Sequence, residues 1–105
     1  MIEPAYVAQL SDADGVLVLG ISGDLDLASR DLVGRAILAA LGSGSSLVLD
    51  LGELTFCDSS GIAMLIEVHR KAEAAGATVA FRNLTPSVRR MFEIANIDAL
   101  ITIDA

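Results

Sequence analysis

The 105-residue chain has no tryptophan, one histidine, one cysteine, two prolines and only 4% aromatic residues. One cysteine, Cys57, excludes an intramolecular disulfide and any cysteine-rich zinc site, and suits a reducing compartment. Set between Phe56 and Asp58, it is read as a small buried hydrophobe rather than a redox group. Basic residues are also scarce, seven against fourteen acids for a net charge of −7. Residues 1 to 60 hold nine acids against Arg30 and Arg35 alone, whereas residues 61 to 105 hold five of each sign. Nucleic-acid binding needs a basic face, which this balance does not supply. No apolar run reaches the roughly 18 to 20 residues that a membrane helix requires, and the opening MIEPAYVAQL carries no basic leader with an apolar core. A cytoplasmic protein without direct membrane insertion is therefore expected.

The chain is nevertheless rich in core-forming side chains, 53% hydrophobic, and its length suits one domain over residues 1–105. Internal repeats and long linkers are absent; Gly42-Ser43-Gly44-Ser45-Ser46 reads as a loop between ordered elements. YVAQL (6–10) and VLVLGIS (16–22), separated by the turn composition Ser11–Gly15, suggest a hairpin. From about 28 to 41, Val33, Ala36, Ile37, Ala40 and Leu41 recur at helical spacing, with Asp26 or Ser29 as N-cap and Gly42 as the stop. LVLDL (47–51) reads as a central strand buried on both faces.

A second helix is predicted from Ser60 to Ala75, with Ile62, Leu65, Ile66, His69 and Ala72 inward and Gly76 ending it. TVAF (78–81) is another strand. Thr85-Pro86 opens a third helix, whose inner stripe is Val88, Met91, Phe92 and Ala95, and LITI (100–103) offers an edge strand. Strands alternating with helices imply parallel pairs joined by crossovers. The expected class is α/β, a mixed sheet of four to five strands with three or four helices packed against it.

TFCDSSGIAML (55–65) lies where LVLDL passes through a short turn into the second helix. Such a junction presents free N–H groups and the positive end of a helix dipole, at the C-terminal edge of the sheet where α/β folds keep their sites. One reading makes Asp58, Ser59 or Ser60 an N-cap and Gly61 a point of close backbone approach. A single cap, however, uses a single side chain, and three cap-type residues stand in a row. A nucleophilic serine would need a base, but the one histidine, His69, lies about 15 Å along the helix on its apolar stripe. The pattern is not G-x-S-x-G, and there is no glycine-rich phosphate loop with a lysine. A serine modified by another protein is the second reading: a phosphate here adds about −1.5 to −2 charges beside Asp58, and helix N–H groups can hold it without unfolding the domain.

Gly23-Asp24-Leu25-Asp26, LVLDLGELTFCDSSGIAML and NLTPSVRRMFEIANID occur in an order and spacing that resemble the STAS domain family, and within it the stand-alone anti-sigma factor antagonists of bacteria. The resemblance covers nearly the whole chain; Cys57 and Ile62 depart from the apolar residues usual in the family. It implies a non-catalytic protein whose unmodified form binds an anti-sigma factor with serine kinase activity and so releases a sigma factor. Phosphorylation of the serine after the aspartate, Ser59, ends that binding, and a PP2C-like phosphatase reverses it. By the same resemblance Asp58, Ser60 and Gly61 shape the docking face and Asp24 and Asp26 belong to its neighbouring loop. No cofactor, resident metal or nucleic-acid partner is implied, and a monomer is expected. An alternative within the family is a constitutive accessory subunit of a lipid-transport ATPase or of a stress-signalling complex.

Overall fold

The computed structural model describes residues 4–13, 15–42, 46–96 and 102–104. Strand β1 (Tyr6–Ala13) and strand β2 (Val16–Leu25) form the predicted antiparallel hairpin, both longer than the apolar runs suggest. Helix α1 (Arg30–Leu41) follows, then β3 (Ser46–Asp50), β4 (Leu54–Cys57), α2 (Ser59–Ala74), β5 (Val79–Arg82), α3 (Pro86–Ile94) and β6 (Thr102–Asp104). The main sheet runs β1-β2-β3-β5-β6, antiparallel only at its first pair. The expected mixed sheet thus has a five-strand path, and the short strand β4 pairs off it, parallel to the end of β2. Ser43–Ser45 of the expected loop and Leu100–Ile101 of the expected edge strand lie outside the described residues.

Alternation along the strands sends Leu17, Leu19 and Ile21 of β2, Leu47 and Leu49 of β3, and Val79 and Phe81 of β5 to one face. Val33 and Ile37 of α1, Leu65, Val68 and Ala72 of α2, and Val88 and Phe92 of α3 meet them there in a single core. Phe81 and Phe92 cross edge to face, with ring centroids 5.6 Å apart and planes at 86°. Because the helices share one face, β3 is not buried on both sides as expected. Leu47 and Leu49 are buried, and Val48 and Asp50 remain partly open. On that outer face a register shift between Gln9 and Ser11 frees Leu10 to fold over Gly20, where an added Cβ would lie 3.1 Å from it.

Several inward positions shift by one from the expected stripes. In α2 the buried set is Gly61, Ile62, Leu65, Val68 and Ala72, while Ile66 and His69 are half-buried. The His69 ring stands 3.5 Å from Glu73 one turn on. In α1 Gly34 is buried and Ala36 exposed, and Ala95, expected on the inner stripe of the third helix, is the exposed C-cap of α3.

At the C-terminal ends of β3 and β5, Asp50 accepts hydrogen bonds from the Gly52 N–H (2.9 Å), the Asn83 side-chain amide (2.9 Å) and the Arg82 guanidinium (3.1 Å). Burial pushes its carboxyl up, but these donors together leave it below the usual carboxylate range. They fasten the two central strands at the edge where the sheet meets the β4–α2 junction. Removing one ring of the aromatic pair tests the core: Phe92→Ala should lower unfolding free energy by about 3–5 kcal/mol in urea titrations, with the far-ultraviolet spectrum of the folded form retained.

Candidate functional site

The β4–α2 junction is built from the end of β2. Its last three residues pair with β4, Gly23 with Leu54, Asp24 with Phe56 and Leu25 with Cys57. Residues 54–57, expected as a turn, are therefore a strand, because open edge groups of β2 beyond β3 accept them. Asp24 accordingly lies within β2 rather than in a loop, and its carboxylate accepts a 2.6 Å hydrogen bond from the Thr55 hydroxyl. The Asp58 N–H donates to the Leu25 carbonyl at 3.1 Å, carrying the chain from sheet pairing straight into α2.

Helix α2 begins at Ser59, one residue earlier than expected, with Asp58 as an extended N-cap. The Asp58 carboxylate accepts from the Ser60 hydroxyl at 2.6 Å and from the Gly61 N–H at 2.9 Å. These two bonds, first the hydroxyl and then the amide, hold it below the usual carboxylate range, so it is ionised at neutral pH. The adjacent serines consequently differ. Ser60 is half-buried with its hydroxyl committed to Asp58, whereas Ser59 is exposed and its hydroxyl makes no hydrogen bond among the described residues. The cap thus falls to Asp58, and Ser59 lies exposed at the positive end of the helix.

Gly61 is where α2 presses hardest on the sheet. A Cβ there would lie 2.9 Å from the Cys57 Sγ, from the Leu25 Cγ and from the Leu25 carbonyl oxygen. The Cys57 thiol is buried as expected, and that burial, reinforced by the Asp58 charge, pushes its pKa up to about 12. It stays protonated and unreactive at neutral pH.

Asp26 begins the loop into α1. Its carboxylate accepts from the N–H groups of Ala28 (3.0 Å) and Ser29 (3.1 Å). Ser29 occupies the N-cap position of α1, but its buried hydroxyl turns back to donate to the Asp24 carbonyl at 2.8 Å. The Leu27 N–H reaches toward Asp58, tying this loop to the start of α2. Asp24, Asp26, Asp58, Ser59, Ser60 and Gly61 are thereby gathered at one end of the sheet. Sequence reasoning placed Ser29 at the start of α1 but missed its bond to Asp24, and it missed Thr55 and the strand that carries it. Alternation was too short to see in four residues, although two hydroxyls lying 31 and five residues from the same aspartate are what a paired edge uses to satisfy its polar atoms.

Residues 8–102 match the sequence profile described as Mlab, STAS domain. The chain belongs to the STAS domain family. A STAS-domain containing protein of Pseudomonas aeruginosa is 29% identical over 98 residues, spanning 92% of this chain and 97% of that protein. The anti-sigma F factor antagonist of Paenibacillus polymyxa is 28% identical over 91 residues, 85% of this chain and 78% of that one. Among solved structures, an anti-sigma factor antagonist from Mycobacterium paratuberculosis superposes with a TM-score of 0.78 at 27% identity, covering 98% of this chain and 89% of that one. Within this STAS domain, no helix among the described residues is long and apolar enough to cross a membrane.

Two substitutions probe the junction. Gly61→Ala should cost about 1–3 kcal/mol in chemical denaturation, because one of the three close atoms is a backbone oxygen that cannot rotate away. Asp58→Ala should cost about 1 kcal/mol at pH 7 through loss of the cap. The Asp58 carboxyl sits lower in the folded than in the unfolded chain. Its contribution is therefore complete above the ordinary value of about 3.9 and disappears as pH falls through the folded value. Urea titrations of the unsubstituted protein and Asp58→Ala should accordingly keep their separation from pH 7 down to about 4 and converge only as the pH is lowered below that.

Proposed function

We propose that this STAS domain is an anti-sigma factor antagonist whose grip on its partner is released by phosphorylation of Ser59. The observation that carries the reading is the division between neighbouring serines: Ser60 is bound to Asp58, and Ser59 offers an exposed hydroxyl at the first turn of α2 that makes no hydrogen bond among the described residues. The relatives named as antagonists of anti-sigma factors supply the partner class.

The chain need provide only an acceptor hydroxyl and a docking face. ATP, its metal ion and the base that takes the serine proton belong to the anti-sigma factor acting as serine kinase, and a PP2C-like phosphatase restores the hydroxyl. A phosphate on Ser59 adds about −1.5 to −2 charges to a surface that already holds Asp24, Asp26 and Asp58. The helix N–H groups accommodate it locally, so the change falls on the partner rather than on the core. Moving a partner from almost wholly bound to almost wholly free takes about 5.5 kcal/mol of differential affinity, and like-charge contact in an interface costs several kcal/mol. Charge and bulk at Ser59 act in the same direction.

Phosphate transfer from the kinase and ATP, followed by intact-mass spectrometry, separates the two serines. Ser59→Ala should accept no phosphate and keep partner affinity, Ser60→Ala should still be phosphorylated, and Ser59→Asp should bind at least tenfold more weakly, about 1.4 kcal/mol. Stoichiometric phosphate on Ser59→Ala would refute the site. A Ser59 that stays unmodified in the native cell, on a chain copurifying with a transporter nucleotide-binding subunit, would put the constitutive accessory role in its place.

A further inference from the structure

Helices α1 and α2 leave a groove between them that neither the cap network nor the Ser59 switch uses. Gly34 brings the helices together: a Cβ there would stand 3.2 Å from the Met64 Cγ. The groove floor is apolar, made by Leu38 of α1 and by Ala63, Met64 and Val68 of α2. Charged side chains form its walls, and their sign runs against that of the chain. Three of the seven basic residues, Arg30, Arg35 and Lys71, line this one groove, with Asp31 and Glu67 as the acids. Arg30 stands 3.5 Å from Asp31, which largely cancels both. Arg35 and Lys71 are exposed, lie on opposite helices and form no ion pair among the described residues.

We propose that this groove docks the acidic face of a partner's amphipathic helix. Apolar residues at i, i+3, i+4 and i+7 would lie on Leu38, Met64 and Val68, and carboxylates flanking that stripe would meet Arg35 and Lys71. The chain's net negative charge does not prevent this, since at physiological salt charges act over only about 8 Å, leaving the local cations to decide. A basic helix would face Arg30, Arg35 and Lys71 with only Asp31 and Glu67 to offset them, a balance that disfavours it. The proposal stands apart from Ser59 phosphorylation and survives if that reading fails.

A displayed library of 16-residue helical peptides, with an apolar stripe held constant and the flanking positions randomised among acidic, basic and neutral residues, tests it against the full chain. Enriched peptides should be rich in Asp and Glu and should move the amide resonances of Gly34, Leu38, Ala63 and Val68 in titrations of the isotope-labelled protein. The double variant R35E/K71E should bind them at least tenfold more weakly, and R35Q/K71Q should weaken binding in the same direction, both with circular dichroism unchanged. Enrichment of basic peptides, no enrichment, shifts confined to the far side of α3, or affinity indifferent to both double variants would overturn the proposal. Groove resonances that move on dilution of the protein alone would also overturn it, showing a second copy as the occupant.

Discussion

The first turn of α2 rests against the end of β2 so closely that Gly61 has no room for a methyl group, and the Leu25 carbonyl both receives the Asp58 N–H and blocks the space a side chain would need. From this contact the rest of the junction follows. The chain must leave β4 in an extended conformation at Asp58, which makes that residue a cap and directs its carboxylate onto Gly61 and Ser60. With Ser60 turned toward the cap, the helical rotation of about 100° per residue carries Ser59 outward. An exposed hydroxyl beside an ionised carboxylate is thus a geometric result of packing a helix tightly on a strand end.

The same contact explains why β2 runs past the sheet proper. Its last three residues would expose unpaired backbone groups beyond β3; β4 pairs with them, and the hydroxyls of Thr55 and Ser29 bond the carboxylate and the carbonyl of Asp24. The β2–α1 loop is held in turn by Asp26 and by the approach of Leu27 to Asp58. Hydrogen-bonded backbone therefore flanks the start of α2 on the side of β4 and on the side of the β2–α1 loop. The acidic junction and the groove between α1 and α2, lined by Arg30, Arg35 and Lys71 together with Asp31 and Glu67, are chemically different surfaces on one small domain.

Long periodic segments were legible in the sequence. Val33 and Ile37, Leu65 and Ala72, and Val88 and Phe92 recur at helical spacing, and burial alone accounts for that pattern. Short ones were not. Four residues of β4 carry no alternation that distinguishes them from a turn, and their strand state depends on a partner 31 residues away in the chain. In α2, Val68 rather than His69 or Ile66 completes the fully buried stripe, because which side of a helix is covered depends on the strands it packs against, which a helical wheel does not contain. In β3, the apolar Val48 invited burial on both faces, yet all three helices chose the other side.

The alternation of strand-like and helical segments and the helix-starting Asp-Ser-Ser-Gly run were enough by themselves to determine the α/β class and the position of the junction, because local hydrogen bonding and burial period act within a few residues; the order of motifs carried the resemblance to the family. Only the tertiary structure decided which serine is exposed and which is bound to Asp58, where Asp24 lies and how Arg35 and Lys71 come to line one groove. Those outcomes depend on distances between elements far apart in the chain, and a close approach such as that of Gly61 to Leu25 exists only once the strands have paired and the helix has packed.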